Sequence, residues 1–274
     1  MVAIWGANYS IVKSAFGTIP PLAFNAARLV LASAVFATAL WVRRSSDLEI
    51  VRSANLWLLS LVGNTLYQIL FIVALSKTSA ANSSLIIGCT PVFVALMTAA
   101  LGHERIPPLR WAGVLLSAAG IYLVVGRGAG VTRESLSGDL LMLAAVFCWA
   151  AAAIISRPLL ARTEPFAVTA WSMIVGTFMY APFAWAPIRD VAWRTVPASA
   201  WIAIAFSGVF ALCVSYVIWY TAVHRLGSTR TAIYSNMVPL AGLLVAWAGY
   251  GETIGTVRAV GAAAIVAGVA LTRA

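Results

Sequence analysis

Charge is scarce in this chain. Only 9% of its 274 residues are Asp, Glu, Lys or Arg, and just eight are acidic. So few carboxylates cannot solvate a globule of this length, and a 62% hydrophobic content excludes an ordinary soluble domain. Histidine is rarer still. His103 and His224 stand far apart in sequence without metal-ligand company. The three cysteines, Cys89, Cys148 and Cys213, each lie inside an apolar run, with neither a disulfide framework nor zinc spacing. There is no Ser/His/Asp set, no pair of carboxylates placed for a cleft, no phosphate-cradling loop and no ATP-binding motif. The chain is therefore expected not to be an enzyme, to need no cofactor or metal, and not to drive transport with ATP. No linker, low-complexity tract or soluble domain interrupts it.

The basic residues give a formal charge of +10, but they sit singly or in pairs between apolar runs rather than in a patch. That distribution argues for a polytopic membrane protein and against a nucleic-acid partner. The first residues lack the basic region and cleavage site of a signal peptide. The first apolar run is short at its amino end, so a few native residues are expected to precede it.

A helix needs about 20 apolar residues to cross a bilayer core of roughly 30 Å. Ten runs meet this, at about 1–17, 22–42, 55–76, 79–101, 108–126, 138–157, 165–186, 198–222, 228–249 and 255–273. Breaks fall at Pro20-Pro21, Arg43-Arg44, Pro107-Pro108, the Gly/Arg stretch 126–134, Pro165, Pro187 and Gly251-Glu252. With the amino terminus in the cytoplasm, the inside holds Arg43, Arg44, Arg52, Arg105, Arg110, Arg157, Arg162, Arg225, Arg230 and Arg273. The outside holds the fewer Lys77, Arg127, Arg133, Arg189, Arg194 and Arg258, a mild positive-inside bias.

The chain also repeats itself. At an offset of 148, Ala74 meets Ala222, Pro91 meets Pro239, Glu104 meets Glu252, Gly113 meets Gly261 and Gly120 meets Gly268. At an offset of 144, Trp5 meets Trp149, Lys13 meets Arg157, Pro21 meets Pro165 and Trp57 meets Trp201. Shared apolar composition explains matched Ala and Leu, but not paired Pro, Glu and Gly in register. The expected fold is an all-α membrane protein of ten transmembrane helices in two five-helix repeats, 1–126 and 138–274. Five is odd, so the second repeat is inverted, an arrangement that puts a substrate site at the repeat interface.

The opening pattern Trp5-Gly6-x-Asn8 followed by Lys13 joins Arg28 early in the second span. The stretch "KTSAANSSLIIGCTPVFVALMTAALGHERI" carries Pro91 and ends in Gly102, Glu104 and Arg105. "GSTRTAIYSNMVPLAGLLVAWAGYGETI" is its counterpart, with Thr253 in place of the Arg. In these motifs the sequence resembles the drug/metabolite transporter superfamily, EamA-type exporters, over its whole length. The resemblance implies ten helices, an inverted repeat and export of small metabolites across the bacterial inner membrane. Its general similarity, aromatic residues on polar helix faces included, is greatest to the aromatic amino acid exporters. The implied substrates are aromatic and other neutral amino acids, with multidrug or other metabolite export as the alternative and a non-transporting scaffold as a more remote one. A monomer is expected.

Polar side chains inside a membrane are costly and usually face a cavity or another helix. In the first span Trp5, Asn8 and Tyr9 form one stripe, as do Asn64, Tyr67, Gln68 and Phe71 in the third and Tyr216, Trp219, Tyr220 and His224 in the eighth. Ser83, Ser84, Thr90, Tyr234, Ser235 and Asn236 come from the fourth and ninth, and Trp149 and Trp171 from the sixth and seventh. The expected substrate-binding set is Trp5, Asn8, Tyr9, Asn64, Tyr67, Gln68, Ser84, Trp149, Trp171, Tyr216, Tyr220, Tyr234 and Asn236. Helix-to-helix hydrogen bonding and interfacial anchoring compete for each of these residues. Lys13 either snorkels to the interface or attracts a substrate carboxylate. Arg28 is expected to bond helix ends rather than substrate. Glu104 and Glu252 are expected to sit at positive helix amino ends rather than carry protons. His224 is the one candidate for proton coupling near a stripe. Pro91 and Pro239 are expected to kink their spans as hinges.

Overall fold

The computed structural model describes residues 1–44, 48–102, 107–125, 133–241 and 256–271, and all regular structure among them is helical. The helices are α1 (Val2–Ala15), α2 (Pro21–Arg43), α3 (Ala54–Lys77), α4 (Ala80–Ile87), α5 (Thr90–Ala100), α6 (Pro108–Val125), α7 (Arg133–Leu160), α8 (Pro165–Arg189), α9 (Ala198–Leu226), α10 (Ser228–Ile233) and α11 (Thr256–Leu271). Helices α2, α3, α8, α9 and residues 135–160 of α7 are long and apolar enough to cross a membrane. Shorter apolar helical stretches cover Thr90–Ala100, Trp111–Gly120 and Ala259–Gly268.

Local chemistry sets the boundaries. Pro21 and Pro165 open α2 and α8, where the missing N–H has no intrahelical partner to lose. Gly227, at φ 84°, closes α9 in a conformation that a side chain would resist. The fourth run departs from the expected single kinked helix. It is broken into α4 and α5 at Gly88-Cys89, because the Pro91 ring cannot sit against the carbonyl four residues back, that of Ile87. Pro91 instead occupies the first turn of α5. The Thr90 hydroxyl donates to the Ile87 carbonyl at 2.5 Å. In the ninth run α10 tightens into a 3-10 turn at Tyr234–Met237 before the buried Pro239.

Two helices contain a π turn, Ser60–Leu66 in α3 and Ser207–Val214 in α9. Each packs through a glycine onto the second long helix of the other half. A Cβ at Gly176 of α8 would lie 2.4 Å from the Asn64 Cβ, and one at Gly208 would lie 3.0 Å from the Arg28 carbonyl of α2. Helices α2 and α8 meet through Ser33 Oγ donating to Thr177 Oγ1 at 2.8 Å. Helices α6 and α11 cross closely, since a Cβ at Gly268 would fall 2.5 Å from the Gly113 carbonyl. Small residues and hydroxyls at crossings are the usual means of packing helices in lipid, which supplies no hydrophobic drive between them.

The surface is inverted relative to a soluble protein. Trp41, Phe178, Phe183 and Trp185 are exposed, while Asn8, Asn25, Arg28, Asn64 and Gln68 are buried. Apolar side chains meet the lipid, and the polar ones lie between helices. The motif acids Glu104 and Glu252, with Gly251 and Arg105, lie outside the described residues.

Candidate functional site: a cavity between the halves

One internal cavity opens among α1, α2, α3, α4, α7 and α9. Its wall takes Trp5, Asn8 and Tyr9 from α1, Arg28 from α2, Tyr67, Gln68 and Phe71 from α3 and Ile87 from α4, with Trp149 from α7 and Ala211, Leu212 and Tyr216 from α9. Both halves of the sequence contribute. The α1 stripe reaches the wall because an ordinary helical turn brings Trp5, Asn8 and Tyr9 onto one face.

Aromatic rings form most of the wall. The Trp149 ring centroid lies 5.0 Å from Tyr67, 5.1 Å from Tyr216 and 5.7 Å from Trp5. Tyr67 stacks on Phe71 at 5.7 Å, and Tyr9 meets the same ring edge-on at 5.6 Å. The Trp5 indole N–H donates to the Ala211 carbonyl at 3.1 Å, inside the π turn of α9. These edge and offset contacts are the favoured aromatic geometries. The enclosed space is about 30 Å³. That holds a water or two. A small-molecule site needs roughly 300 Å³ or more, so the rings must part to admit a substrate.

The polar part of the wall is a chain of hydrogen bonds across three helices. Arg28 is 1% exposed. Its Nε donates to Asn25 Oδ1 at 2.7 Å, one terminal nitrogen to Ser207 Oγ at 2.8 Å and the other to Gln68 Oε1 at 2.8 Å. Because a guanidinium can only donate, it fixes the orientation of the Gln68 amide. The Gln68 Nε2 then donates to the Tyr216 hydroxyl at 2.9 Å. The Arg28 guanidinium also faces the Phe71 ring, 5.6 Å from its centroid. This corrects the expectation that Arg28 bonds helix ends: its partners are side chains of α2, α3 and α9, and it stands on the cavity wall. Its polar neighbourhood could not be read from spacing within α2.

A family model for the EamA-like transporter family matches residues 1–126 and 136–274. The chain belongs to that family. It is 31% identical to an uncharacterized transporter of Archaeoglobus fulgidus over 99% of this chain and 94% of that protein. It is 28% identical to a protein of Streptantibioticus cattleyicolor named "Probable terminal-alkyne amino-acid exporter", over 98% of this chain and 90% of that one. A crystal structure with 21% identity superposes at a TM-score of 0.81, over 99% of this chain and 94% of that chain, and shares the fold.

Other expected site residues of this transporter lie away from the cavity wall. Asn64 is fully buried against Gly176, and both its amide atoms lack partners. Its displacement from the Tyr67–Gln68–Phe71 face follows from the π turn, whose wider winding breaks the i, i+4 register. Tyr220 continues the α9 stripe beyond Tyr216, its ring 6.4 Å away, with its hydroxyl unpartnered next to Gly63. Trp171 packs against the larger apolar core with its indole N–H unpaired. Ser84, Tyr234 and Asn236 are on α4 and in the turn after α10, and the Asn236 carbonyl oxygen is buried without a partner. The Lys13 ammonium bonds the Leu75 carbonyl at 3.4 Å and the Thr78 carbonyl, capping the end of α3. His224 is exposed in the last turn of α9.

Proposed function

We propose that the chain is a bacterial inner-membrane exporter of amino acids, favouring aromatic and other neutral ones. It works as a monomer by alternating access, down the substrate's own gradient and without proton coupling. The observation that carries this reading is the cavity itself: rings suited to an apolar side chain, and amide, phenol and guanidinium groups suited to a polar end, all on one wall to which both halves contribute. Kinship to a protein named as an amino-acid exporter supports the substrate class.

The architecture in this reading is ten spans in two inverted repeats. Gln68 and Tyr216 support it, since they occupy equivalent positions at the offset of 148 and are hydrogen-bonded to each other. In a two-fold arrangement only residues beside the axis touch their own counterparts. Uncoupled transport is favoured because no described carboxylate or histidine stands on the cavity wall.

The test is uptake of labelled Phe, Trp, Tyr and Leu into proteoliposomes of purified protein preloaded with the same amino acid. Exchange should proceed with no imposed pH gradient and change little when a protonophore is added. Uptake that requires a proton gradient would overturn the uncoupled mechanism. Movement of lipophilic cations with no movement of amino acids would overturn the substrate class.

A further inference from the structure

Arg28 is a buried cation facing a cavity, and among the described residues no carboxylate pairs with it. Its side-chain partners Asn25, Ser207 and Gln68 are neutral. A guanidinium is charged at any physiological pH and has five N–H donors. Three are engaged, which leaves two. Beside it, the Tyr216 hydroxyl accepts from Gln68 and keeps its own proton to donate. An unpaired charge at this depth is costly, and three neutral hydrogen bonds offset it only in part. The same cavity carries an opposite feature. Asn8 is 5% exposed, and its Oδ1 is a buried acceptor with no partner, on the same cavity wall as Trp5 and Tyr67.

We propose that Arg28 is the carboxylate anchor of this cavity, with Asn8 Oδ1 and the neighbouring rings receiving the ammonium. The substrate class is then a small zwitterion, and lipophilic cations are excluded by charge. This deepens the transport reading and rests on the cavity being its site. The substrate carboxylate takes the two spare N–H groups of Arg28 and the Tyr216 proton, completing an ion pair the protein alone leaves half made. The ammonium satisfies the orphaned Asn8 oxygen and gains cation–π attraction. The cation is not duplicated, since Ser172 occupies the equivalent position of the second half at an offset of 144. One charge in the site selects one carboxylate.

Three related probes separate the two ends of the ligand: L-phenylalanine, L-phenylalaninamide, which lacks the carboxylate, and 3-phenylpropionate, which lacks the ammonium. Binding is read as ligand-dependent thermal stabilisation of the purified protein, and transport as competition with labelled phenylalanine. On the unaltered protein the amide should bind about ten- to a hundred-fold more weakly than phenylalanine, the worth of a charge-assisted contact. Phenylpropionate should fall between them. In Arg28→Gln, which keeps a hydrogen-bonding side chain, the preference for phenylalanine over its amide should collapse. Arg28→Lys should retain part of it. Equal binding of phenylalanine and its amide to the unaltered protein overturns the proposal without recourse to any variant. So does an undiminished preference in Arg28→Gln, or a failure of every carboxylate probe to stabilise the protein. A carboxylate preference in binding without any transport would support the anchor and count against the exporter reading.

Discussion

Gly176 has no room for a methyl group. A Cβ there would meet the Asn64 Cβ at 2.4 Å and the Ser60 carbonyl at 3.2 Å, both on the π turn of α3. Backbone cannot yield as the end of a flexible side chain can, so Gly176→Ala should lower stability by about 1–3 kcal/mol through overpacking. The check is the thermal midpoint in detergent, and Asn64→Gly in the same chain should recover part of the loss, since the two sites share one contact. An unchanged midpoint in Gly176→Ala would mean that the helices separate freely here. The same residue explains why Asn64 was misleading in the sequence. A buried amide beside Tyr67 and Gln68 reads as one polar stripe, yet the π turn breaks that register and sets Asn64 against Gly176 of α8. Trp5, Asn8, Tyr9, Tyr67, Gln68, Trp149 and Tyr216 were visible as wall residues because aromatic and amide groups stand out in apolar runs. The place of Arg28 was not visible, because its meaning depends on partners 40 and 179 residues away.

At the scale of elements, the two π turns are where helical periodicity stops predicting faces. Sequence spacing assumes 3.6 residues per turn. A π turn typically absorbs one extra residue and turns carbonyls aside, frequently at functional sites. In α9 it presents the Ala211 carbonyl to the Trp5 indole and so ties α1 to the cavity wall. Phe210, in the same turn, is 47% exposed on the outer face. Deleting Phe210 should let Ser207–Val214 revert to α-helix while both flanks keep their register. The Ala211 carbonyl then rejoins the helical ladder and Trp5 loses its acceptor. The protein should still insert and purify as a single species, with the KM for phenylalanine raised about ten-fold, the order expected for one lost buried hydrogen bond. An unchanged KM would make the π turn a packing feature alone. The break between α4 and α5 had a clearer signature, Pro91. A proline inside an apolar run was legible as a kink, though not as a full interruption.

At the scale of the whole molecule, side-chain contacts tie particular helix ends to one another. The end of α1 meets the end of α3 through Lys13, and Thr78 at that end donates to Asp139 near the start of α7 at 2.7 Å. Arg43, closing α2, lies 3.9 Å from Glu164, just before α8, and covers the Phe166 ring at 4.2 Å. Helices α1 and α3 thus end where α7 begins, and α2 ends where α8 begins, as they must if consecutive spans alternate in direction. The repeat was legible because proline and glycine positions recur at fixed offsets. The number of crossings is less so, since α4 with α5 and the region after α10 are not single long helices, and apolar length alone does not decide whether each pair crosses once. Leu48, between α2 and α3, and Thr195, between α8 and α9, decide it, because both are exposed and five proposed crossings separate them. With Cys89, Cys148 and Cys213 replaced by Ser, single cysteines in Leu48→Cys and Thr195→Cys should react with a membrane-impermeant maleimide from opposite faces. In right-side-out cells Thr195→Cys should label and Leu48→Cys should not, and inverted vesicles should reverse the pattern. Labelling of both from one face would mean an even number of crossings between them, and with it the inverted repeat and a cavity poised between two opposed halves would fail together.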